Sequence, residues 1–398
     1  MDLKSGYPYY LIKNGLCEQY DTLLSDHRVD VVILGGGISG ALMAYQLAKK
    51  GIQCTVIDKR GIGLGSSSAS TSLLQYEIDN PLHLLEKQIG TKAAVEAYRL
   101  CSDAIDAIKK IAEDVSFPDF KYCSSLYFAH TKSKVPYLKR EFISRQNAGF
   151  DVSYLEKEAI LKKFGFNAES GILSTQAAKV DAYLLSHYLH QYNQKKGVSV
   201  FENTSIEKIF HHKSGVELIS SKGFKIKAKK IIYATGYEVV EQINKPIVKL
   251  ASTYACVSHC IDQLPGFFEK SLLWNTADPY LYIREDNGRL IIGGRDEQYY
   301  NPQKREAVLV RKAKKLKEDF NKLFPTIEFE TQFSWAGTFG STKDGLPYIG
   351  TYDKKPNGYF ALGFGGNGIT FSAIAAEFIA KHIKDKGYKI PAMFGFNR

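Results

Sequence analysis

The sequence predicts a mixed α/β (α+β) fold in which a buried parallel sheet is combined with an antiparallel sheet. Residues 31–60 contain an apolar strand, a glycine-rich turn, an amphipathic helix and a second apolar strand, as in a parallel βαβ unit. Residues 248–294 contain short alternations of apolar and polar residues between turn residues, which indicates antiparallel strands. A chain of 398 residues is too long for one ordinary core, so two domains are expected.

The first parallel unit has the spacing of a dinucleotide-binding site. Gly35, Gly37 and Gly40 form the pattern GxGxxG, in which the first glycine permits a tight turn and the second lets the backbone approach a pyrophosphate. The third glycine lets the helix pack closely on the strand. Asp58 ends the next strand, where a carboxylate can accept hydrogen bonds from a ribose hydroxyl. This context favours dinucleotide binding over a purely structural βαβ unit.

The next segments continue the alternation of helices and strands. The loop at 61–72 is rich in glycine and serine, and small hydroxyl residues suit close approach to a polar ligand. Residues 81–115 have helical spacing in two segments that are broken near Gly90. A further helix is predicted from its cap at Asp181 to Tyr192.

The second half of the chain begins with strand patterns. Residues 198–233 alternate in a way that predicts a small antiparallel meander, which closes on a buried strand and on Ala234-Thr235-Gly236. The turn Asp286-Asn287-Gly288 is a strong hairpin signal. A basic amphipathic helix follows within 304–322, and the chain ends with a strand, a glycine loop and an amphipathic helix.

Composition excludes several classes of protein. There is no run of about 18 apolar residues, so no transmembrane helix is predicted, and the charged N-terminal region does not resemble a signal peptide. We therefore expect a cytoplasmic enzyme. Residues 1–27 are expected to form an irregular leader packed on the outside, which Tyr7, Tyr9, Tyr10 and Leu11 could anchor. The six scattered cysteines contain no CxxC pair, which favours reduced thiols over a metal site.

The formal net charge of +11 raises the possibility of a nucleic-acid partner. Much of the excess lies on the predicted helix within 304–322, whose helix-spaced apolar residues supply a buried side. A solvated basic face explains these lysines, and no recognition motif accompanies them, so nucleic acid is disfavoured as a partner.

Four separated segments resemble motifs of the D-amino-acid oxidase, glycine oxidase and sarcosine oxidase superfamily of FAD-dependent oxidoreductases. They are GGGISG with Asp58, GLGSSSAS at 63–70, ATG at 234–236, and WAGTFGSTKDGLPYIG followed by GFGGNGIT at 363–370. The resemblance implies FAD rather than NAD, because an NAD dehydrogenase does not need the glycine loop and helix at the carboxyl end. It also implies non-covalent FAD, since Phe339 stands where some relatives attach FAD through a cysteine.

The resemblance implies a Rossmann-like FAD-binding domain that is interleaved in sequence with an antiparallel-sheet substrate domain. The FAD-binding domain is expected at 28–80, 150–240 and 336–398, and the substrate domain at 81–149 and 241–335. The cofactor-binding residues expected from these motifs are Gly35, Gly37, Ile38, Ser39, Gly40, Asp58, Lys59, Arg60, Gly65, Ser66, Ser67, Ser70, Thr71, Ala234, Thr235, Gly236, Gly337, Gly365, Gly366, Asn367, Gly368, Ile369 and Thr370.

The chain departs from the pattern of the superfamily where amino-acid substrates are recognised. Glycine oxidase-like sequences have an arginine at the position of Phe339, which pairs with the substrate carboxylate. A neutral ring cannot replace a guanidinium, and the loss is expected to cost several kcal/mol for an α-amino acid. Sarcosine oxidases have arginines at the apparent positions of Ser72 and Gln75, and a lysine that assists reaction with oxygen at the apparent position of Ile291.

The candidate catalytic residues are Tyr254, Tyr282, Arg284 and Phe339. Arg284 could supply a new carboxylate partner, or it could be a surface charge on a hairpin. Tyr254 and Tyr282 could line an aromatic pocket, although aromatic residues on strands are usually core residues. No metal ligand set is predicted.

The leading hypothesis is oxidation of a C–N bond of an amine or N-substituted amino compound by hydride transfer to flavin N5. The partners are then a small amino compound and oxygen or another electron acceptor. Three alternatives remain open: an amino-acid oxidase or dehydrogenase with a non-standard carboxylate partner, a tRNA-modification flavoprotein that acts on aminomethyl groups, and a catalytically silent FAD-binding subunit.

Overall fold

The computed structural model describes residues 1–243 and 245–398. The strands are β1 (Lys4–Gly6), β2 (His27–Leu34), β3 (Cys54–Ile57), β4 (Leu73–Gln75), β5 (Phe120–Phe128), β6 (Val152–Glu156), β7 (Ser170–Val180), β8 (Ser199–Phe201), β9 (Ile206–His212), β10 (Gly215–Ser220), β11 (Lys225–Tyr233), β12 (Lys249–Ser258), β13 (Ser271–Asn275), β14 (Tyr282–Asp286), β15 (Arg289–Glu297), β16 (Thr331–Ser341), β17 (Tyr348–Thr351) and β18 (Gly358–Leu362).

The helices are α1 (Tyr9–Asn14), α2 (Ile38–Lys49), α3 (Ser66–Ala69), α4 (Leu82–Ile89), α5 (Thr91–Asp114), α6 (Val135–Asn147), α7 (Lys157–Phe164), α8 (Ala182–Lys195), α9 (Phe267–Lys270), α10 (Pro302–Leu323) and α11 (Gly368–Lys384). Short 3-10 turns occur at Lys132–Lys134, Gly236–Gln242 and Ala392–Phe394. None of the helices in the described ranges combines the length and the apolar content of a bilayer-spanning segment.

A sheet of eight strands has parallel pairing at its centre. Its order is β17-β18-β11-β2-β3-β8, with β9 and β10 extending from β11. The apolar side chains of β2 and β3 are buried on both faces, because α2, α8 and α11 pack on one face and the β9–β10 hairpin packs on the other. This confirms the parallel βαβ unit, and the pairing of Leu34 with Ile57 brings Gly35 and Asp58 to the same edge.

A sheet of ten strands forms the second layer. Its order is β1-β16-β12-β15-β14-β13-β5-β7-β4, with β6 paired to β7. All these pairs are antiparallel except β13 with β5. Helix α10 covers one face, where its buried residues Leu309, Leu316 and Phe320 pack against β12 and β16. Residues on the other face line the large cavity that is described below.

The tight hairpin between β14 and β15 is confirmed in detail. Asp286 pairs with Arg289, so the loop contains Asn287 and Gly288 only. Both loop residues have positive φ, +50° and +75°, as a type I′ turn requires.

The strands are distributed differently from the predicted domain segments. Strands β6 and β7 lie within the segment 150–240 that is predicted for the FAD-binding domain, but they pair with β5 in the ten-stranded sheet. Helix α5 lies within the segment 81–149 that is predicted for the substrate domain, but it packs in one hydrophobic cluster with α2 and α11. The domain boundaries themselves stay a prediction.

The predicted leader at residues 1–27 is irregular only in part. Residues Lys4–Gly6 form β1, which pairs with β16 at the edge of the ten-stranded sheet, and α1 follows. Tyr9 and Tyr10 are buried as the anchoring role requires, whereas Tyr7 is exposed. A strand of three residues is too short to show a periodic pattern in the sequence. Its hydrogen-bond partner also lies more than 300 residues away, so no local signal indicates the pairing.

Candidate functional site

One cavity is lined by residues of both sheets and has a volume of about 380 Å³. The eight-stranded sheet contributes the carboxyl ends of β2, β3 and β11, where the glycine turn, Asp58 and Ala234-Thr235-Gly236 lie. The ten-stranded sheet contributes residues of β12, β14, β15 and β16. This position at the carboxyl ends of parallel strands is where open α/β sheets bind ligands.

The glycine turn between β2 and α2 leaves no room for side chains. A Cβ atom on Gly40 would lie 1.8 Å from the Gly35 carbonyl oxygen, so the first turn of α2 can pack there only with glycine. A Cβ on Gly37 would lie 2.7 Å from the Ser67 hydroxyl, which accepts a hydrogen bond from the Ile38 amide at 2.8 Å. The N-terminus of α2 therefore faces the cavity, and its dipole and free amides favour an anion.

Asp58 lines the cavity and is held by backbone amides. Its carboxylate accepts hydrogen bonds from Gly36 N at 2.7 Å and Arg60 N at 2.8 Å. Burial raises the pKa of Asp58, and these amides oppose that effect. Since a carboxylate has about four acceptor positions, two remain for a ribose hydroxyl.

The only basic side chains among the described residues that line the cavity lie beside Asp58. They are Lys59 and Arg60, and both pair with Glu238, at 2.9 Å and 2.6 Å. Burial disfavours the ionised form of Glu238, but the hydrogen bonds from Arg60 and Lys59 outweigh it and lower the pKa of this carboxyl.

The glycine loop before α11 forms another wall. Gly365, Gly366, Gly368 and Ile369 line the cavity, and Gly365 has a φ of +55°. Asn367 does not line the cavity, because its side-chain amide donates to the carbonyls of Gln75 and Glu77, each at 2.9 Å.

Arg284 has neither of the two roles that the sequence leaves open. It is buried and does not line the cavity. Its Nη1 donates to the carbonyls of Thr71, Ser72 and Val180 at 2.8–3.2 Å, and its Nη2 donates to Asp286 at 3.2 Å. Arg284 is therefore neither a surface charge nor a free carboxylate partner, and it holds the loop after α3 to β14.

Tyr282 and Phe339 line the cavity, as predicted for substrate residues. The Tyr282 ring lies directly over Gly293, where a Cβ would be 2.0 Å from ring atoms. Phe339 lies two and four residues after Gly337 and Trp335 on β16, so the three share one face of the strand, and all three line the cavity. Hence the position at which the resemblance implies an arginine presents an aromatic ring to the cavity.

The ring of Tyr254 packs on the α10 side of the sheet. Lys312 Nζ lies 5.1 Å from the ring centroid, and the Tyr254 hydroxyl is 3.3 Å from that of Tyr299. The ring belongs to the hydrophobic cluster beneath α10, although the residue also borders the cavity. The neighbouring Thr253 points to the opposite face because side chains alternate along a strand. Tyr254 is therefore a packing residue, and the prediction of a catalytic role for it is not supported.

Asp296 lines the cavity and is absent from the residues predicted for the site. Its Oδ1 is buried and has no hydrogen-bond partner within residues 1–243 and 245–398. Burial raises the pKa of the Asp296 carboxyl to about 6. The motif GGRDE carries a signal that could have found it, because adjacent glycines inside a strand suggest a bulge or a close backbone approach.

A family model described as FAD dependent oxidoreductase matches residues 30–382. The chain belongs to this family. Glycine oxidase of Geobacillus kaustophilus is 24% identical over 368 residues, which cover 90% of this chain and 94% of that protein. Gamma-glutamylputrescine oxidoreductase of Escherichia coli K12 is 21% identical over 395 residues, which cover 96% and 90%.

Solved structures share the fold. The crystal structure of L-proline dehydrogenase from P. horikoshii has a TM-score of 0.78 at 20% identity and covers 93% of this chain and 97% of that chain. The crystal structure of glycine oxidase from Geobacillus kaustophilus has a TM-score of 0.77 at 22% identity and covers 94% and 99%. The predicted mixed fold and the predicted family are confirmed, and the chain is an FAD-dependent enzyme.

The residues of this oxidoreductase fit FAD. The turn at Gly35–Gly40 and the N-terminus of α2 suit a pyrophosphate, and Asp58 suits a ribose. Ser66 lines the cavity with a buried hydroxyl that has no hydrogen-bond partner among the described residues, so it can bind a ligand. No cysteine or histidine of the described residues lines the cavity, and non-covalent binding of FAD stays a prediction.

Most of the predicted cofactor-binding residues line this one cavity. They are Gly35, Gly37, Ile38, Ser39, Asp58, Lys59, Arg60, Gly65, Ser66, Ser67, Ser70, Thr71, Ala234, Thr235, Gly236, Gly337, Gly365, Gly366, Gly368 and Ile369. Three others do not: Gly40 packs on Gly35, Asn367 anchors the loop, and Thr370 has a buried hydroxyl without a partner. Their contacts with FAD remain a prediction.

The other departures from the superfamily also have defined positions. Ser72 and Gln75 line the cavity, so two neutral side chains stand where the resemblance implies arginines. Ile291 is buried against Trp335 and Tyr10 and does not line the cavity. Among the described residues, no group of three or more His, Cys, Asp or Glu side chains could hold a metal ion.

Proposed function

We propose that this oxidoreductase oxidises a C–N bond of an amine or N-substituted amino compound that lacks an α-carboxylate. One observation carries the proposal: Phe339 lines the cavity at the position where a carboxylate-binding arginine is expected, and the described basic residues that line the cavity lie beside Asp58. The acidic residue Asp296 also lines this cavity. The relatives support an amino compound in general, since their names include glycine oxidase and gamma-glutamylputrescine oxidoreductase.

The charge balance of the cavity disfavours a substrate carboxylate. A bidentate pair of arginine with carboxylate is among the strong charge-assisted hydrogen bonds, and here neither Phe339 nor Ser72 nor Gln75 can supply it. The carboxyl of Asp296 would also repel a second carboxylate. An amine without this group avoids both costs.

If the glycine turn, Asp58 and the loop before α11 hold FAD, the cofactor would supply a two-electron acceptor for the hydride on the carbon next to a neutral amine nitrogen. The substrate would also lose the N–H proton, and water would hydrolyse the imine to a carbonyl compound and an amine or ammonia. The protein would then contribute positioning and electrostatics. The N-terminus of α11 opens onto the cavity through Gly368 and Ile369, so its free amides and positive dipole end can stabilise negative charge on a bound group. The ring of Tyr282 and the indole of Trp335 would exclude water from the reacting carbon.

The alternatives have less support. An amino-acid enzyme would need a new carboxylate partner, and Arg284 is already engaged with three carbonyls and Asp286. A tRNA substrate was suggested by the net charge, but α10 packs its apolar side on the sheet, and its Lys312 and Lys317 pair with Glu297 and Glu330.

A dye-coupled assay tests the proposal. FAD-loaded protein is incubated with an electron-accepting dye and with two panels, α-amino acids and simple primary or N-methyl amines, and mass spectrometry identifies the carbonyl product. We expect an aldehyde or ketone from the amine panel only. Turnover of α-amino acids alone, or of no compound in either panel, would contradict the proposal.

A further inference from the structure

We propose that Asp296 binds a second, protonated nitrogen of the substrate, so that the substrates are diamines or polyamines. This inference rests on the proposed oxidation of carboxylate-free amines and names their class. It concerns a residue that the known motifs of the cofactor site do not include.

The sheet is deformed so that Asp296 can reach the cavity. Tyr254 pairs with Gly294, and Ser252 pairs with Glu297, so Arg295 and Asp296 together stand opposite the single residue Thr253. This is a β-bulge, a feature that redirects side chains next to active sites. Arg295 has a φ of +58°, which is uncommon for a residue with a side chain.

The bulge separates the two neighbouring side chains. Arg295 turns outward and forms a hydrogen bond with Asp319 of α10 at 2.6 Å, while Asp296 lines the cavity. Gly294 is required there, because a Cβ would lie 2.3 Å from the Tyr280 carbonyl oxygen. Since Oδ1 of Asp296 is buried and unpartnered, its hydrogen-bonding capacity is left for a ligand.

No cation in the described part of the chain forms an ion pair with Asp296. Lys312 is the basic residue that acts on it from α10, and its Nζ is engaged by the Arg295 carbonyl at 2.7 Å and by Glu297. The other charged groups that face Asp296 are acidic: Asp79 from the segment after β4 and Asp278 from the loop between β13 and β14. The region of the cavity around Asp296 therefore lacks a positive charge that would balance its carboxylate.

The remaining walls also suit a cation. Tyr237, Tyr280 and Tyr282 line the cavity, and aromatic faces attract ammonium groups. Asp79 accepts a hydrogen bond from the Gly366 amide at 2.8 Å, beside the Tyr280 hydroxyl. Asp79 and Asp278 are both exposed, so negative charge extends from Asp296 toward solvent and can attract a polycation in spite of the net charge of +11.

A substrate that binds Asp296 through an ammonium group and is also oxidised needs two nitrogens. A carboxylate that binds an ammonium stabilises its protonated form, whereas hydride loss needs a neutral nitrogen next to the reacting carbon. One nitrogen cannot satisfy both conditions. The nitrogen held by Asp296 and the nitrogen that is oxidised are therefore different atoms of one substrate.

The test compares 1,4-diaminobutane with 4-amino-1-butanol, which has the same length but a neutral end. Steady-state kinetics are measured for the wild-type holoenzyme and for Asp296→Asn, with Glu297→Gln as the matched control. Glu297 is the next residue on β15 and pairs with Lys312 of α10 instead of lining the cavity. Flavin content confirms that each variant is folded and loaded.

We expect the wild type to prefer the diamine in kcat/KM by about tenfold to a hundredfold, the range of a hydrogen bond to a charged group. Asp296→Asn should lose this preference through KM with kcat little changed, and Glu297→Gln should keep it. Calorimetric titration of 1,4-diaminobutane into dithionite-reduced holoenzyme, which cannot turn over, should show the same loss of affinity.

Equal kcat/KM values for the two compounds in the wild type, or an unchanged preference in Asp296→Asn, would overturn this inference and leave the proposed amine oxidation intact. Oxidation of neither compound, nor of any other amine, would overturn both.

Discussion

Asp296 is expected to lower the free energy of unfolding of the protein, although it is the residue proposed to bind the substrate. Burial raises its pKa to about 6, and Asp79 and Asp278 act in the same direction while Thr253 and Lys312 oppose it. The native state then binds more protons than the unfolded state between the ordinary aspartate pKa of about 3.9 and about 6. The free energy of unfolding therefore falls as the pH rises through this window, by an amount of the order of 3 kcal/mol.

Asp296→Asn removes this penalty. We expect the variant to have a melting temperature a few degrees above that of the wild type at about pH 8, and a much smaller difference at about pH 4. Circular dichroism of both proteins across this pH range measures the effect, with Glu297→Gln as the control. A variant that is less stable than the wild type at about pH 8 would show that Asp296 has a structural role instead.

The role of Phe339 can be tested by introducing the arginine that the resemblance implies at this position. Phe339→Arg in an Asp296→Asn background, where no carboxylate competes for the guanidinium, should bind acetate at least about tenfold more tightly than Asp296→Asn alone. The shift of the flavin absorbance on titration with acetate reports the affinity. Phe339→Leu is the control for the change in volume. Equal acetate affinity in all variants would place the side chain of residue 339 outside the substrate region.

At the scale of elements, the position of α2 depends on Gly40. A Cβ there would lie 1.8 Å from the Gly35 carbonyl oxygen, so Gly40→Ala must move the first turn of α2 away from β2. We expect a loss of about 1–3 kcal/mol in the free energy of unfolding, together with a large loss of FAD after purification. Gly266→Ala, where no atom lies within 4 Å, is the control. Full flavin content in Gly40→Ala would contradict the assigned role of the glycine turn.

Helix α4 is fixed to α6 by a buried carboxylate. Glu141 accepts hydrogen bonds from the amides of Leu82 and His83 at 3.1 Å and pairs with Arg145 at 2.7 Å. Burial opposes the ionised form, but Arg145 and the hydrogen bonds of His83 lower the pKa of Glu141 to about 2. Its contribution to stability is therefore present above the ordinary glutamate pKa and is lost as the pH falls toward 2.

Glu141→Gln leaves Arg145 as a buried charge that has lost its closest partner. We expect a loss of about 3–5 kcal/mol in the free energy of unfolding near neutral pH, measured by chemical denaturation. The exposed Glu96 of α5 provides the control, since Glu96→Gln should change stability by less than about 0.5 kcal/mol. A loss below about 1 kcal/mol in Glu141→Gln would mean that water or Glu77 compensates Arg145.

At the scale of the whole molecule, the cofactor site was predicted from local patterns in the sequence. The run from β2 to Asp58 and the hairpin at Asn287-Gly288 were predictable, because the strand, helix and turn chemistry lie within about 30 residues. The wall that contains Phe339 was predictable only through resemblance, since alternation on a strand does not specify which face meets a ligand.

Long-range pairing explains what sequence analysis missed. The bulge at Asp296 is defined by its register against β12, more than 40 residues earlier, and the pairing of β7 with β5 crosses the predicted domain boundary. In the sequence, Arg284 has the features of a charge on a hairpin. In the structure, it donates hydrogen bonds to the carbonyls of Thr71, Ser72 and Val180. In each case the partner is remote in sequence, so composition and periodicity give no signal.

The central claim is that the substrate region has exchanged carboxylate recognition for cation recognition. The most direct test is an anaerobic titration of the yellow holoenzyme, because reduction of the flavin requires the substrate but no electron acceptor. Bleaching of the flavin band by 1,4-diaminobutane or n-butylamine, and not by glycine, sarcosine or D-alanine, is the result that this account predicts. Bleaching by the α-amino acids and not by the amines would contradict it.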